Sequence, residues 1–250
     1  MGALEAKAAL VTGGSRGIGR AVVQKLAREG AHVVFSFNEN RSAAEEVVAQ
    51  VARFGGTAHA VRADMGCPDD VKLLFEQTVR KLGALDILVN NAAINPIRRI
   101  IDATADDFDR VMGVNAKGPF LAIQAASRIL RAGGRIVNIS SFGTRAPAEG
   151  LSLYLASKAA LELLTAVAAR ELGARGITVN AVSPGVTDTE LMRESSGASA
   201  DETFDGVTAK TALRRLGEPA DIANVVAFLA GPDSQWITGQ NLRATGGLIV

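Results

Sequence analysis

The sequence predicts an α/β fold built on one doubly wound parallel sheet with helices on both faces. Short apolar runs alternate along the 250 residues with segments of helical periodicity, as in successive strand–helix units. Right-handed connections would return the chain to parallel strands of one sheet. A glycine-rich segment at residues 12–19 separates the first apolar run from the first helical segment. No linker or internal repeat divides the chain, so we expect residues 1–250 to form a single domain.

Seven apolar runs predict the strands of this sheet. They are short and mostly apolar, as buried parallel strands are. The predicted strands are residues 7–12, 31–37, 57–62, 85–89, 135–139, 177–182 and 241–244.

Segments with a period of 3.6 residues predict the helices, at residues 20–28, 42–54, 71–82, 108–130, 154–172 and 220–230. Ser42 and Glu45 have the spacing of a capping box, so we expect Ser42 to be the N-cap of the second helix. Asn115 lies inside the fourth helix, which indicates either a kink or a tolerated polar residue, because asparagine competes for backbone hydrogen bonds. Residues 190–210 are polar and weakly periodic, which predicts a substrate-covering loop region or simply a flexible loop.

Composition limits the classes of function. The 27 basic and 26 acidic residues leave a formal net charge of +1, without the basic excess of a nucleic-acid-binding protein. The single cysteine, Cys67, excludes an intrachain disulfide and a cysteine-based zinc site, and two histidines are too few for a histidine-rich metal site. We expect no metal. The sequence lacks a secretory signal pattern and an apolar run of about 18 residues, so we expect a cytoplasmic protein without membrane contact.

The glycine-rich segment, TGGSRGIG, follows a predicted strand and precedes a predicted helix. In that position glycines let the backbone approach a pyrophosphate, and the helix N-terminus presents free N–H groups to it. The spacing is G-x-x-x-G-x-G, and turns use glycine for other reasons, so the loop alone is weak evidence. Its context between strand and helix favours a nucleotide-binding function.

The tip of the second strand bears on the choice between two nicotinamide cofactors. An acidic residue there would hold the ribose 2′-hydroxyl of NAD, whereas basic or neutral side chains accommodate the 2′-phosphate of NADP. Phe37 and Asn38 stand at this tip, with Arg16 in the glycine loop and Arg41 nearby, which favours NADP(H). Glu39 lies about where a ribose-binding acid is expected, so NAD(H) remains the alternative.

Polar or small residues follow three other predicted strands. Asp64 could accept a hydrogen bond from an adenine amino group, or serve as a turn residue before Pro68. Asn91 and Ala92 would allow close approach of a ribose, or form a plain turn. Ser141 follows the fifth strand, at the sheet edge where open α/β folds bind their ligands.

Tyr154 and Lys158 are four residues apart in a predicted helix, so their Cβ atoms lie about 5–6 Å apart on one face. A fixed cation stabilises a phenolate and lowers a tyrosine pKa from its reference value of about 10. Such a phenol can donate a proton to a carbonyl or accept one from an alcohol. The pair alone is more often an ordinary helix turn, so its interpretation depends on the rest of the chain.

The ordered set of motifs resembles the short-chain dehydrogenase/reductase family, and within it the 3-oxoacyl-carrier-protein reductases and glucose dehydrogenase-like enzymes. The resemblance covers nearly the whole chain, and its segments agree in type, order and spacing. They are T-G-G-S-R-G-I-G at 12–19, D-M at 64–65, N-N-A at 90–92, V-N at 114–115, N-I-S-S at 138–141, Y-x-x-x-K at 154–158, P-G-V-T-D-T at 184–189 and R-L-G-E-P at 215–219.

This resemblance implies a Rossmann fold with four catalytic residues. Ser141 would hydrogen-bond the substrate oxygen, and Tyr154 would donate the proton during reduction. Lys158 would lower the pKa of Tyr154 and bind the nicotinamide ribose. Asn115 would hold a water that links Lys158 to solvent. The hydride would come from the nicotinamide.

The resemblance also implies a set of cofactor-binding residues, which includes Tyr154 and Lys158. The others are Gly13, Ser15, Arg16 and Ile18 for the phosphates and adjacent sugar, Asn38 with Arg16 for the 2′-phosphate, Asp64 and Met65 for the adenine, Asn91 and Ala92 for the adenosine-side ribose region, and Pro184, Gly185, Thr187 and Thr189 for the nicotinamide carboxamide. Two residues depart from the family pattern, Ala93 in place of a glycine and Thr187 in place of an aliphatic residue. Members usually form homotetramers, with homodimers as a variant.

We therefore expect an NADPH-dependent carbonyl reductase acting on a small-molecule ketone, such as a 3-oxoacyl thioester or a simple ketone. The alternatives are an NAD-linked alcohol or sugar dehydrogenase and a nucleotide-sensing scaffold without chemistry. Residues 94–99, 145–151 and 190–210 are expected to line the substrate site. Arg98, Arg99 and Arg145 could attract an anionic carrier, although surface arginines are commoner than binding ones.

Overall fold

The computed structural model describes residues 2–196 and 200–248 and contains one seven-stranded sheet. All its strand pairs are parallel, in the order β3-β2-β1-β4-β5-β6-β7. The predicted fold class is confirmed. The strands are β1 (Ala8–Val11), β2 (His32–Phe37), β3 (Thr57–Arg62), β4 (Leu85–Asn90), β5 (Leu130–Ile139), β6 (Thr178–Pro184) and β7 (Asn241–Ala244).

Helices cover both faces of the sheet, as the alternating pattern predicts. Within the described residues they are α1 (Gly17–Arg28), α2 (Arg41–Arg53), α3 (Pro68–Leu82), α4 (Ala105–Met112), α5 (Gly118–Ile129), α6 (Ser152–Leu172), α7 (Glu190–Ser196), α8 (Ala200–Lys210) and α9 (Pro219–Ala230). One buried cluster joins the sheet to α1, α2 and α9, and a second joins its other face to α3, α5 and α6. Successive residues of β1 alternate between the two clusters, which explains why this strand is apolar throughout.

The order of the strands locates the ligand crevice. β1 pairs with β2 on one side and with β4 on the other, so the chain reverses its direction of winding beside β1. Connections on the two sides of this point leave over opposite faces, and a crevice opens at the carboxyl ends of the strands. The glycine-rich segment directly follows β1 and therefore lies at this crevice.

Two local predictions are wrong, one for the start of a helix and one for a loop. Asn40, rather than Ser42, is the N-cap of α2, because its Oδ1 accepts a hydrogen bond of 2.9 Å from Ala43 N. Residues 190–210 are helical in α7 and α8 rather than irregular, although residues 197–199 lie outside the described part. Thr189 caps α7 by accepting a hydrogen bond of 3.2 Å from Met192 N, a local signal that the weak periodicity obscured.

The predicted helix at residues 108–130 is interrupted, as the kink interpretation of Asn115 expects. A π turn, Gly113–Lys117, separates α4 from α5 and contains Asn115. Such π segments inside helices occur frequently at functional sites. The interruption turns the Asn115 side chain, which is fully buried, toward α6 and the chain after β4.

Helix α6 has the length and apolar composition that a membrane span requires. In the structure it packs against β6 and α5 within the fold. Core helices of this kind pass the same composition test, so we interpret α6 as part of the globular structure.

Candidate active site

A cleft of about 840 Å³ follows the carboxyl ends of the strands around β1. It brings together every predicted site residue except Asn115, which lies behind the wall of the cleft. These residues are Gly13, Ser15, Arg16, Ile18, Asn38, Asp64, Met65, Asn91, Ala92, Ser141, Tyr154, Lys158, Pro184, Gly185, Thr187 and Thr189.

The glycine loop is held against the chain that follows β4. The Thr12 hydroxyl accepts hydrogen bonds of 3.0 Å from both Asn91 N and Ala92 N. In return, Asn91 Nδ2 donates to the carbonyls of Thr12 and Gly13, each at 2.9 Å. The Asn91 amide therefore braces the loop, and the ribose contact implied by the resemblance stays a prediction.

Glycine is required where the loop meets α1. A Cβ atom on Gly19 would lie 2.0 Å from Gly13 O and 2.5 Å from Asn91 Nδ2, so the backbone would have to move. Gly13 itself has φ of +67°, which L side chains rarely adopt. The first turn of α1 carries no acidic residue, and Arg16 at its N-cap makes no capping hydrogen bond. These features fit the binding of a pyrophosphate at the N-terminus of α1.

The end of β2 is more basic than the sequence alone indicated. The register of β2 and β3 pairs Phe37 with Arg62, and Arg62 Nε donates a hydrogen bond of 3.1 Å to Asn38 O. Sequence reasoning missed Arg62, although aligning the ends of the two predicted strands would have found it. Glu39 is exposed and lines the cleft.

Asp64 forms the turn after β3 and an ion pair with α4. Its Oδ1 accepts from Gly66 N and its Oδ2 from Arg110 Nη1, both at 2.8 Å. Burial alone would raise the pKa of Asp64, but the hydrogen bonds from Gly66 and Arg110 outweigh it and lower the pKa. Asp64 is therefore an ionised turn residue that also lines the cleft, and Arg110 is a lining residue that sequence reasoning missed.

Asn115 joins the segment after β4 to the helix that carries Tyr154. Its Oδ1 accepts from Ile94 N at 2.9 Å, and its Nδ2 donates to Ile94 O at 2.8 Å. Nδ2 also lies 3.1 Å from Ser157 Oγ, and Ser157 in turn donates to Tyr154 O at 2.6 Å. Its side chain thus braces the segment after β4 against α6, and the water contact implied by the resemblance stays a prediction.

Ser141, Tyr154 and Lys158 meet where β5 ends against α6. The Ser141 hydroxyl lies near enough to the Tyr154 phenol to favour its charged form, and it accepts from Gly143 N at 3.2 Å. Lys158 is 2% exposed, and its Nζ donates to Ile139 O at 2.8 Å. This Nζ lies 5.5 Å from the centre of the Tyr154 ring.

Comparisons with known proteins show the family of the chain. Residues 13–249 match a family model described as enoyl-(acyl carrier protein) reductase. The 3-oxoacyl-[acyl-carrier-protein] reductase of Staphylococcus aureus is 39% identical over 97% of this chain and 98% of its own length. The chain belongs to the short-chain dehydrogenase/reductase family.

Solved members of the short-chain dehydrogenase/reductase family share the fold closely. A short-chain dehydrogenase from Burkholderia cenocepacia, solved in complex with NADP, is 43% identical with a TM-score of 0.92 over 98% of each chain. A dehydrogenase/reductase from Sinorhizobium meliloti is 45% identical with a TM-score of 0.92, over 99% of this chain and 96% of its own. The family uses NAD(P)(H), so a nicotinamide cofactor belongs to this cleft.

Burial shifts the pKa values of Tyr154 and Lys158 in this short-chain dehydrogenase/reductase. Burial raises the pKa of Tyr154 to about 12, although the nearby Ser141 hydroxyl lowers it in part. Burial also lowers the pKa of Lys158 to about 8. The pKa of Tyr154 therefore lies above its ordinary value because burial disfavours the phenolate, and Lys158 Nζ donates to Ile139 O; the role of Lys158 toward Tyr154 stays a prediction.

Two residues that depart from the family pattern line the cleft without disturbing the glycine loop. Ala93 borders the cavity beside Ala92. The Thr187 hydroxyl donates to Gly185 O at 3.0 Å, which occupies its only proton within the loop. Among the described residues, no group of three histidine, cysteine, aspartate or glutamate side chains could hold a metal ion.

Proposed function

We propose that this short-chain dehydrogenase/reductase is an NADPH-dependent carbonyl reductase. It would transfer a hydride to a ketone, such as a 3-oxoacyl thioester or a small ketone. The observation that carries the proposal is the placement of the Ser141 and Tyr154 hydroxyls in the same cleft as the glycine loop. A hydride donor held by that loop and a proton donor on α6 would reach one substrate from two sides.

The nicotinamide, when bound, supplies the hydride, and the chain supplies orientation and the proton. Ser141 and Tyr154 would hold the carbonyl oxygen between two hydroxyl groups. With a pKa near 12, Tyr154 is protonated at neutral pH and can donate to the oxygen as it gains negative charge. Lys158 is mainly charged below pH 8, so its ammonium would stabilise the phenolate left by that transfer. The main chain of the π turn around Asn115 would hold the water implied by the resemblance.

Cofactor preference tests the first part of the proposal. Arg16 and Arg62 place positive charge around Asn38, where a 2′-phosphate would lie, so we expect Kd for NADPH to be at least about tenfold below that for NADH. Arg62→Ala should raise Kd for NADPH more than Kd for NADH. Arg53→Ala, at the exposed end of α2, is a matched control that should leave both values unchanged. Tighter binding of NADH would favour the NAD-linked alternative and assign Glu39 to the ribose.

A substrate panel tests the reaction itself. Acetoacetyl thioester, simple ketones and an enoyl thioester would be offered with NADPH, and alcohols and sugars with NAD⁺ and NADP⁺. We expect consumption of NADPH with a ketone. Turnover of the enoyl thioester alone would replace ketone reduction by reduction of a carbon–carbon double bond. If none of these compounds is converted, the nucleotide-sensing scaffold would be favoured.

The segment at residues 190–210 would cover the substrate within a single domain formed by residues 1–250. Leu191 and Met192 on α7 face the cleft together with Phe142 and Leu151. Arg20 Nη2 lies 3.2 Å from Glu190 Oε1, so an ion pair joins α7 to the helix after the glycine loop. The apolar lining suits an apolar group beside the ketone carbon.

We also propose a cytoplasmic homotetramer. Phe120 on α5 and Leu163 and Val167 on α6 are 46%, 68% and 47% exposed on adjacent helices, and Trp236 is 98% exposed elsewhere. Apolar side chains exposed in two regions suit burial between subunits. Light scattering during gel filtration should give four times the chain mass; twice that mass would indicate the homodimer.

A further inference from the structure

The turn that follows Ser141 is attached to helix α6 by one carboxylate. Ser140 Oγ donates to Glu162 Oε1 at 2.7 Å, and Thr144 Oγ1 lies 2.8 Å from the same oxygen. These hydroxyls come from the residue before Ser141 and from the end of the 3₁₀ turn Phe142–Thr144. Glu162 thus holds both ends of the short segment on which Ser141 stands.

The same helix carries the proton donor. Glu162 is one helical turn beyond Lys158 and two beyond Tyr154, so the three side chains share one face of α6. The turn also rests directly on this helix, since a Cβ atom on Gly143 would lie 2.6 Å from Leu155 Cδ2. These contacts fix the backbone of the turn that carries Ser141 against the helix that carries Tyr154.

Ser141 makes only weak contacts with its own turn. Its Oγ accepts from Gly143 N at 3.2 Å, and its carbonyl accepts from Thr144 N at 3.4 Å. The Thr144 hydroxyl also lies 3.0 Å from Ser141 O, but its one proton is better directed at the charged acceptor. Hydrogen bonds from hydroxyls to a carboxylate are shorter and stronger than those within the turn.

We propose that Glu162 is a positioning residue that holds Ser141 in hydrogen-bonding register with Tyr154. The inference rests on the proposed function, in which these two hydroxyls hold the substrate oxygen. Glu162 does not touch the reacting atoms. It acts through Ser140 and Thr144, whose hydroxyls need an acceptor and not a negative charge as such.

The test is a double-mutant cycle with the conservative variant as rescue. Glu162→Ala should lower kcat about tenfold while KM for NADPH changes by less than about twofold, because small misplacements of aligned groups are costly. Glu162→Gln keeps an oxygen acceptor and should retain most of the rate. In the Ser141→Ala background, Glu162→Ala should have no further effect. Glu171→Ala, exposed near the end of α6, is the matched control.

A spectroscopic measurement separates this inference from the reductase assignment. Tyr154 is the only tyrosine of the chain, so 3-fluorotyrosine gives a single ¹⁹F resonance at the site. Relative to the wild-type protein, the resonance should shift in Glu162→Ala and stay in place in Glu162→Gln. It should be the same in Ser141→Ala and in the double variant that combines Ser141→Ala with Glu162→Ala. If the wild-type protein reduces no ketone, the reductase proposal fails while this measurement still decides the role of Glu162.

Three results would overturn the role of Glu162. The first is an unchanged kcat and resonance in Glu162→Ala. The second is that Glu162→Ala lowers the rate by the same factor with and without Ser141, and the third is that Glu162→Gln lowers the rate as much as Glu162→Ala. Should Glu162→Ala fail to fold, Thr144→Val removes one of the two hydroxyls from the other side. It should lower kcat and shift the resonance only when Ser141 is present, and additive effects would again reject the inference.

Discussion

Tyr154→Phe is expected to lower kcat for ketone reduction by about 10²–10⁴-fold, the usual contribution of a positioned general acid. The phenylalanine ring keeps the packing of Tyr154, while the loss of the hydroxyl removes the proton donor and the partner of Ser141. The glycine loop and its brace are untouched, so Kd for NADPH should change by less than about threefold. Stopped-flow turnover and fluorescence titration with NADPH measure the two quantities.

The control for this variant removes a hydroxyl elsewhere. Ser127 on α5 donates to Gln124 O away from the cleft, so Ser127→Ala should retain full activity. The chain has one tyrosine, so the phenolate absorbance of the wild-type protein reports Tyr154 alone and must vanish in Tyr154→Phe. Retention of most of the turnover by Tyr154→Phe would remove Tyr154 from the role of acid.

Lys158→Met is expected to abolish most turnover and to change how stability depends on pH. Burial lowers the pKa of Lys158 from 10.5 to about 8. Between these values the unfolded chain binds one proton more than the folded chain, so the free energy of unfolding rises with pH. Over pH 8 to 10 the rise should be about 2–3 kcal/mol, since each pKa unit corresponds to about 1.4 kcal/mol.

The variant should lose this rise because methionine does not titrate. Urea unfolding of both proteins at pH 7, 8, 9 and 10 measures the difference. Above pH 10 the raised pKa of Tyr154 acts in the opposite sense, since the unfolded chain then loses a proton that the folded chain keeps. Lys117→Met, at an exposed position, is the control, and parallel curves for wild type and Lys158→Met would contradict the buried charge.

The centre of the sheet was predictable because β1, β4 and β6 are buried along their whole length. Short apolar runs of this kind are typical of buried strands, and their alternation with helical segments is typical of a parallel α/β sheet. The glycine loop was predictable for a related reason, since its position between strand and helix is a local property of the sequence. The first residue of α2 was not predictable. Asn40 and Ser42 are both acceptable N-caps, and only the geometry of the preceding turn selects Asn40.

Several contributors to the site depend on contacts between distant segments. Arg62 reaches Asn38 through strand register, and Arg110 reaches Asp64 across 46 residues. Asn115 was recognised as unusual in a helix, but its partner Ile94 lies on a separate segment, so the sequence could not show that the side chain is a brace. The role of Glu162 could not be predicted from the sequence, because a single glutamate on a helix is common and indicates no partner.

The order of the strands separates two tasks of the protein in space. The basic tip formed by β2 and β3 lies on one side of β1, and the chain that covers the cleft leaves β6 on the other. Substitutions around Asn38 and Arg62 and those on α7 therefore lie on opposite sides of β1, with the braced glycine loop between them. Changes in coenzyme choice and in substrate range can accumulate independently along such a lineage, and an engineer can combine variants of the two regions with nearly additive effects.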